Sequence, residues 1–127
     1  MKPIKLFLIF VLNLFLCLSS SAKDNVKLFF DGNSKPIQFA VGEIQSALSV
    51  KGHETVVKPI LEIKQLTADE YNIVLLNISE KGNLELLDGF EINNLKEVKN
   101  EGFIIHKSKP EAKTIWVLGM DGAGVMY

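Results

Sequence analysis

The sequence contains a single cysteine, Cys17, and no arginine. Cys17 lies within the apolar run Leu6–Leu18 and no cysteine follows it, so residues 23–127 can form neither a disulfide nor a thiolate metal site. Basic residues are not in excess either. Residues 23–127, which leave out Lys2 and Lys5, contain 12 lysines and 15 acidic residues, a formal charge of −3. This balance predicts no nucleic-acid partner.

Histidine is also scarce, and internal repeats and low-complexity segments are lacking. The two histidines are His53 and His106. Neither has a second histidine or a carboxylate at metal-ligand spacing, and a catalytic histidine needs an oriented partner. His106 follows Ile105 in an apolar run, which favours a solvent-facing position for the histidine. We therefore predict no catalytic residue, no cofactor and no metal site.

The first 22 residues have the three-part pattern of a secretory signal. Two lysines precede the apolar run Leu6–Leu18, and small residues follow it up to Ala22. We predict cleavage after Ala22 and a secreted or periplasmic location, with no membrane attachment after cleavage. The run has 13 residues, fewer than the ~20 of a spanning helix. A lipid anchor on Cys17 is disfavoured because Leu16, which is not a small residue, precedes it.

A strand followed by a helix is predicted at the start of the remaining chain. Val26–Phe30 is β-prone and ends at a turn of residues 31–33. The helix begins with Asn33 or Ser34 as its cap and ends near Gly52. Phe39 falls outside its apolar stripe and is free to meet a partner. That stripe consists of Ile37, Ala40, Val41, Ile44, Ala47 and Leu48.

Four further strands are predicted after this helix. The third strand has a continuous apolar core, which places it at the centre of a sheet, and Pro59 places the second at an edge or a strand end. Residues 61–69 fit a short strand or a loose turn, and residues 80–99 form a long connection with one short helix or turn. The last two strands form a hairpin. These strands are Glu54–Ile60, Tyr71–Ile78, Gly102–Lys107 and Thr114–Leu118.

Together these elements predict an α+β fold, a small mixed β-sheet of about five strands with one or two helices packed on one face. A last helix is expected to begin at Gly124 or Val125. It cannot complete a hydrogen-bonded turn before Tyr127. We therefore expect residues 23–127 to be a domain that is incomplete at its C-terminal end.

A glycine-rich loop precedes that last helix. Gly119, Gly122 and Gly124 follow a strand, the context in which backbone N–H groups can hold a phosphate. Their spacing differs from the dinucleotide fingerprint, and the acidic residue of that fingerprint about 20 positions later has no counterpart here. A tight strand-to-helix turn is the preferred interpretation.

Acidic residues beside the strands could form a glycosidase pair. Such a pair holds its carboxyl groups roughly 5–10 Å apart across a sugar, and a small single-sheet domain offers no evident cleft. We interpret Asp69, Glu70 and Asp121 as capping and turn residues. The sequon Asn77-Ile78-Ser79 matches N-x-S, a pattern with a high chance rate.

Two separated segments resemble one known domain. The tail follows the pattern E-G-[FY]-x-[IL] … [IV]-x-[IV]-x-G-x-D-x-x-G-x-[ML]-Y-G, and Phe39–Leu48 is similar to the helix A-x-x-E-[IL]-x-x-x-[LF]. Both patterns belong to the non-catalytic N-terminal domain of several glycoside hydrolases, including alpha-glucuronidases of family 67 and beta-N-acetylhexosaminidases of family 20. The resemblance spans about residues 26–127. The matching tail residues are Glu101–Ile105, Thr114–Gly119, Asp121, Gly124 and Met126–Tyr127.

The resemblance implies a structural accessory domain of a secreted, exo-acting enzyme of polysaccharide or glycan degradation. Its partner would be a catalytic (β/α)8 barrel, whose C-terminal face carries the acid/base carboxylates and the sugar pocket. No barrel residue is encoded here, so no catalytic residue is carried over and no activity is expected from this chain alone. Phe39, Met126 and Tyr127 are the candidate contacts with the barrel.

Two other hypotheses stay open. The first is a free-standing periplasmic carbohydrate- or protein-binding module, although sugar binding needs exposed aromatic platforms and Trp116 lies in an apolar strand. Besides the phenylalanines, only Tyr71 and Tyr127 could supply such a platform. The second is a small intact hydrolase, which turnover of aryl glycosides would reveal.

Overall fold

The computed structural model describes residues 24–90, 92, 95, 99, 101–107 and 113–126. The predicted signal peptide, Tyr127 and the hairpin turn at residues 108–112 lie outside these described residues. The strands are β1 (Asn25–Phe30), β2 (Glu54–Pro59), β3 (Tyr71–Asn77), β4 (Phe103–Lys107) and β5 (Thr114–Gly119). The helices are α1 (Lys35–Val50), α2 (Asn83–Leu86), α3 (Gly122–Met126) and a 3-10 helix at Ile60–Gln65.

The five strands form one mixed sheet in the order β2-β1-β3-β5-β4. β1, β2, β3 and β5 are parallel, and β4 pairs with β5 in the antiparallel direction. The predicted α+β fold with a mixed sheet of about five strands is therefore confirmed. β3 is the central strand, as its apolar core predicts, and β2 with Pro59 is an edge strand.

Helix α1 forms where the apolar stripe predicts it. Pro36 lies in the first turn, where a missing N–H breaks no helical hydrogen bond. Gly52 follows the helix with a φ of 83°, a left-handed conformation that glycine adopts without steric cost. Ile37 and Val41 are buried, whereas Ala47 is exposed, so the buried stripe is narrower than predicted.

Each face of the sheet carries one core cluster. On the face covered by α1 and α3, Leu28 and Leu75 meet Ile37 and Val125 in one core cluster. On the opposite face the 3-10 helix and the segment after α2 cover a second cluster that includes Trp116. Helices α1 and α3 thus lie on one face of the sheet, as predicted. The ambiguous residues 61–69 contribute most of the 3-10 helix that covers the other face.

Helix α3 begins earlier than the sequence indicated. It starts at Gly122, and the prediction of a start at Gly124 or Val125 is wrong. The reason is the Asp121 side chain, whose Oδ1 accepts the Gly124 N–H at 2.7 Å and caps the first turn. The expectation that no turn is completed is wrong too, because the Val125 N–H donates to the Asp121 carbonyl at 3.3 Å. Among the described residues no helix is both long enough and apolar enough to cross a membrane.

Candidate functional site

Asp121 connects the two segments that carry the tail motif. Its Oδ1 accepts the Gly124 N–H, and its Oδ2 accepts the Glu101 N–H at 3.1 Å. Glu101 has a φ of 59°, in the left-handed region that a non-glycine residue rarely occupies. The carboxylate therefore holds the turn before β4 against the start of α3.

The glycines of the tail allow these segments to approach closely. A Cβ on Gly124 would overlap the carbonyl oxygen of Gly102, which also accepts the Met120 N–H at 3.0 Å. A Cβ on Gly119 would lie 2.5 Å from Val125 Cγ2. These contacts explain the glycines by packing, as expected for a tight strand-to-helix turn.

The structure places the acidic candidates at opposite ends of the sheet. Asp69 and Glu70 precede β3, whereas Asp121 follows β5. The parallel register pairs Asn72 with Thr114 and Asn77 with Gly119, so a full strand length of roughly 15–20 Å separates the two ends. A glycosidase pair needs carboxyl groups within about 10 Å. These acids cannot form one.

Glu70 has a structural partner instead. Its Oε2 lies 2.5 Å from Lys27 Nζ of β1, and Thr67 Oγ1 donates to the same oxygen at 2.5 Å. The hydrogen bond from Lys27, followed by that from Thr67, lowers the pKa of Glu70 below its usual value. The ion pair joins β1 to the loop that enters β3.

The histidines do not come together. His53 is half-buried just before β2, and its N–H donates to the Leu48 carbonyl at 3.0 Å. His106 lies opposite Trp116 on the half-buried face of β4. The expectation that His106 faces solvent is wrong, because β4 turns Ile105 outward. Within the described residues no three His, Cys, Asp or Glu side chains are placed to hold a metal ion.

The sequon asparagine is engaged inside the fold. Asn77 is 8% exposed at the end of β3. Its Oδ1 accepts the Ser79 N–H and hydroxyl, and its Nδ2 donates to Glu80 Oε1 at 3.2 Å. Asn83 Nδ2 also donates to the Asn77 carbonyl at 2.7 Å. Nδ2, the atom that glycosylation would modify, is therefore engaged in a turn and is not presented on a free loop.

An apolar trough lies beside α1 on the described surface. Two cavities of about 350 and 230 Å³ lie along the flank of this helix. The first contains Leu48, Ile73 and Ile115. The second contains the neighbours of those residues on the same faces, Ile44, Leu75 and Val117. Since the spacing is four residues on the helix and two on each strand, the cavities lie end to end, and we call them together the α1 trough.

The floor of the α1 trough is the uncovered part of the sheet. Helix α1 packs over β1 and is held toward β2, where Gln45 Nε2 donates to Thr55 Oγ1 at 3.1 Å. Strand β4, and the part of β5 before the region where Val125 of α3 packs on Gly119, therefore expose apolar side chains on this face. Parallel strands in α/β sheets are normally covered on both faces. The exposed floor side chains include Ile105 at 64%, Phe103 at 45% and Ile115 at 40%.

The wall and ends of the α1 trough contain two of the predicted contact residues. Phe39 of α1 is 61% exposed and lines the upper cavity with Met126. The third, Tyr127, lies outside the described residues. At the lower end Lys113 Nζ lies 4.9 Å from the centre of the Tyr71 ring. One face of this ring is therefore already in contact with a cation, which leaves it a poor platform for a sugar.

Sequence reasoning missed the floor residues of the α1 trough. Phe103, Ile105, Ile115 and Val117 occur in strands that are apolar on both faces, and this pattern normally predicts a fully covered strand. One signal was present nevertheless. A sheet of five strands accompanied by only one long helical pattern leaves part of one face without a cover.

Trp116 is part of the opposite core and is not a binding platform. It is buried, and its ring centre lies 4.7 Å from that of Phe90 at an interplanar angle of 57°. Its Nε1 makes no hydrogen bond within the described part of the chain.

Comparison with known proteins finds no matching family model, no similar curated protein and no similar solved structure.

Proposed function

We propose that residues 23–127 form a structural N-terminal accessory domain of a secreted, exo-acting glycoside hydrolase of the alpha-glucuronidase or beta-N-acetylhexosaminidase type. The domain contributes no catalytic residue. Its role is to pack against a catalytic (β/α)8 barrel and hold it in position. The signal at residues 1–22 exports the protein, with cleavage after Ala22.

The observation that supports this proposal most is the α1 trough. Its exposed apolar floor on β5 and β4 joins Phe39 and Met126 into one surface. Contiguous apolar surfaces of this kind mark sites where another protein surface packs. The tail motif supports the same role, because Asp121 and Gly124 shape the edge of this surface through hydrogen bonding and close packing.

The genomic sequence downstream of the Tyr127 codon tests the proposal. Translation in all three frames is expected to yield a (β/α)8 barrel with paired carboxylates at the ends of its strands. An unrelated gene or non-coding sequence at that position would overturn the assignment. Mass spectrometry of the exported protein, with an expected amino terminus at Lys23, tests the signal separately.

Enzyme assays of the purified chain give an independent check. Aryl glycosides and aryl uronides are expected to remain intact, because Asp69 and Glu70 lie at the opposite end of the sheet from Asp121. Turnover that follows the protein through purification would contradict the accessory role.

The α1 trough also suits a second candidate function, a free-standing protein-binding module of the periplasm. Such a module would act without a barrel encoded beside it. A barrel gene missing from the locus, combined with capture of a periplasmic protein through the trough, would favour this alternative. Carbohydrate binding is less well supported, because Lys113 already contacts the Tyr71 ring.

A further inference from the structure

The α1 trough has the dimensions of one α-helix. Its floor follows β4, a strand of five residues in which Phe103, Ile105 and Lys107 share the α1 face, over roughly 14–17 Å. That length equals about three turns of helix at about 1.5 Å per residue. Its width covers β5 and β4, roughly 10 Å across the two strands, and an α-helix with its side chains is about 10 Å across. A single added strand would be about half as wide.

The two ends of the α1 trough differ in charge. Lys107 lies directly opposite Ile115 on the floor, and Lys113 lines the same lower cavity. Asp24 also lines this end and offsets one positive charge. Glu43 lines the upper cavity. A helix carries about half a positive charge at its amino end and half a negative charge at its carboxyl end. The trough therefore favours a carboxyl end near the lysines.

We propose that the α1 trough receives one amphipathic α-helix of about three turns from the neighbouring domain. The helix lies parallel to α1 and antiparallel to β5, with its carboxyl end at Lys107 and Lys113. It presents large apolar side chains to Ile105 and Val117 and carries acidic side chains in its last turn. This inference rests on the proposed scaffolding function for the source of the helix, whereas the fit depends only on the shape and charge of the trough.

Two synthetic peptides of about 13 residues test the fit. Both carry leucines at helical spacing and a cross-link between positions i and i+4 on the polar face, so that both are helical when free. One has two glutamates in its last turn, and the other has the same glutamates in its first turn. Titration into the full chain, labelled with ¹⁵N, measures the affinity and maps the amides that shift.

The peptide with glutamates in its last turn is expected to bind about three to ten times more tightly, because two exposed charge pairs favour it. The difference should shrink at high salt. The shifted amides should include those of Phe39, Ile105 and Val117. The protein variant carrying both Lys107→Glu and Lys113→Glu should prefer the other peptide.

Two matched protein variants locate the binding surface. Ile105→Asp places a charge on the exposed floor and is expected to weaken binding at least about tenfold. Leu61→Asp changes another exposed aliphatic residue, in the 3-10 helix, and should leave affinity unchanged. Thermal melts of both variants verify that each still folds.

Three results would overturn the inference. The first is equal affinity for the two peptides. The second is that, with peptide at about millimolar concentration, the amides that shift lie away from the trough. The third is that this chain forms a dimer in solution that buries Ile105. The last result would identify a second copy as the occupant. A locus without a barrel gene would refute the proposed function but not the helix fit. Failure of the peptides to bind in the trough would refute the helix fit but not the proposed function.

Discussion

Gly124 shows how a single hydrogen atom in place of a side chain sets the path of the chain. Its backbone lies against the carbonyl of Gly102, so the turn before β4 and the helix after β5 share one narrow space. The Asp121 carboxylate joins the same two segments by hydrogen bonds. Close packing and hydrogen bonding thus act together at the edge of the trough.

Gly124→Ala is expected to destabilise the fold by about 1–3 kcal/mol, the usual effect of overpacking a tight site. Urea denaturation monitored by Trp116 fluorescence measures the change. Gly32→Ala is a suitable control, because a Cβ at Gly32 meets no atom within 4 Å. Equal stability of Gly124→Ala and the parent would show that the carbonyl of Gly102 can move aside.

Glu70 should make stability depend on acidic pH. Its pKa is lowered in the folded protein by Lys27 and Thr67, so the unfolded chain binds the proton more readily. The stabilisation is present above the ordinary carboxyl pKa and is lost as the pH falls through the lower folded value. Glu70→Gln should therefore be less stable than the parent at neutral pH, and the two should converge in acid.

The exposed Glu85 of α2 provides the matched control for this prediction. Glu85→Gln should follow the pH profile of the parent throughout. A gap between Glu70→Gln and the parent that stays constant down to strongly acidic pH would assign the effect to packing, not to ionisation.

Two glycines, one inside helix α1 and one just after it, have opposite roles. Gly42 lies in the middle of the helix with open space around it, whereas Gly52 follows the helix with a φ of 83°. Gly42→Ala should stabilise the protein by roughly 0.5–1 kcal/mol, since glycine loses more backbone entropy in a helix. Gly52→Ala should destabilise it by about 1–2 kcal/mol, since its conformation disfavours a Cβ.

Chemical denaturation of these two variants measures both changes in one series. Opposite signs are expected. A loss of stability in Gly42→Ala would contradict the open space around this position.

The two edge strands of the sheet differ in the way they are protected. β2 carries Glu54 and Lys58 and ends at Pro59, features that discourage a further strand from pairing. Lys58 also lies 3.2 Å from Glu62. β4 instead carries Phe103 and Ile105 on its α1 face. The edge next to the trough is therefore the one suited to contact with another surface.

The sequence was sufficient to predict elements whose cause is local. The stripe of α1, the turn at Gly52 and the apolar core of β3 all depend on neighbouring residues. The cap at Asp121 was harder, because its carboxylate also binds Glu101, 20 residues away. The ion pair of Lys27 with Glu70 spans 43 residues. Such contacts follow from strand order, which periodicity does not reveal.

The trough was not predictable for a related reason. Alternation along β5 tells which residues share a face, but not which element covers that face. Ile115 and Trp116 are both apolar, and yet one is 40% and the other 1% exposed. Only the position of α1 over β1, which depends on the whole sheet, separates them.

At the scale of the whole molecule, protection from hydrogen exchange should follow strand order. β3 has hydrogen-bonded neighbours on both sides and buried residues on both faces, whereas β4 has one neighbour in the sheet order and an exposed face. Amides of β3 should exchange at the rate set by global unfolding, and those of β4 much faster through local opening. Native-state exchange followed by NMR measures both. Protection of β4 equal to that of β3 would point to a cover over the trough.

The position of β5 between β3 and β4 has a consequence for folding during synthesis. Thr114 of β5 lies beside Asn72 of β3 although 42 residues separate them along the chain. A polypeptide emerging from the ribosome amino end first therefore keeps one side of β3 open until β5 has been made. Closing so long a loop is slow. During that interval the nascent chain would depend on chaperones to prevent the open edge of β3 from pairing with a strand of another protein.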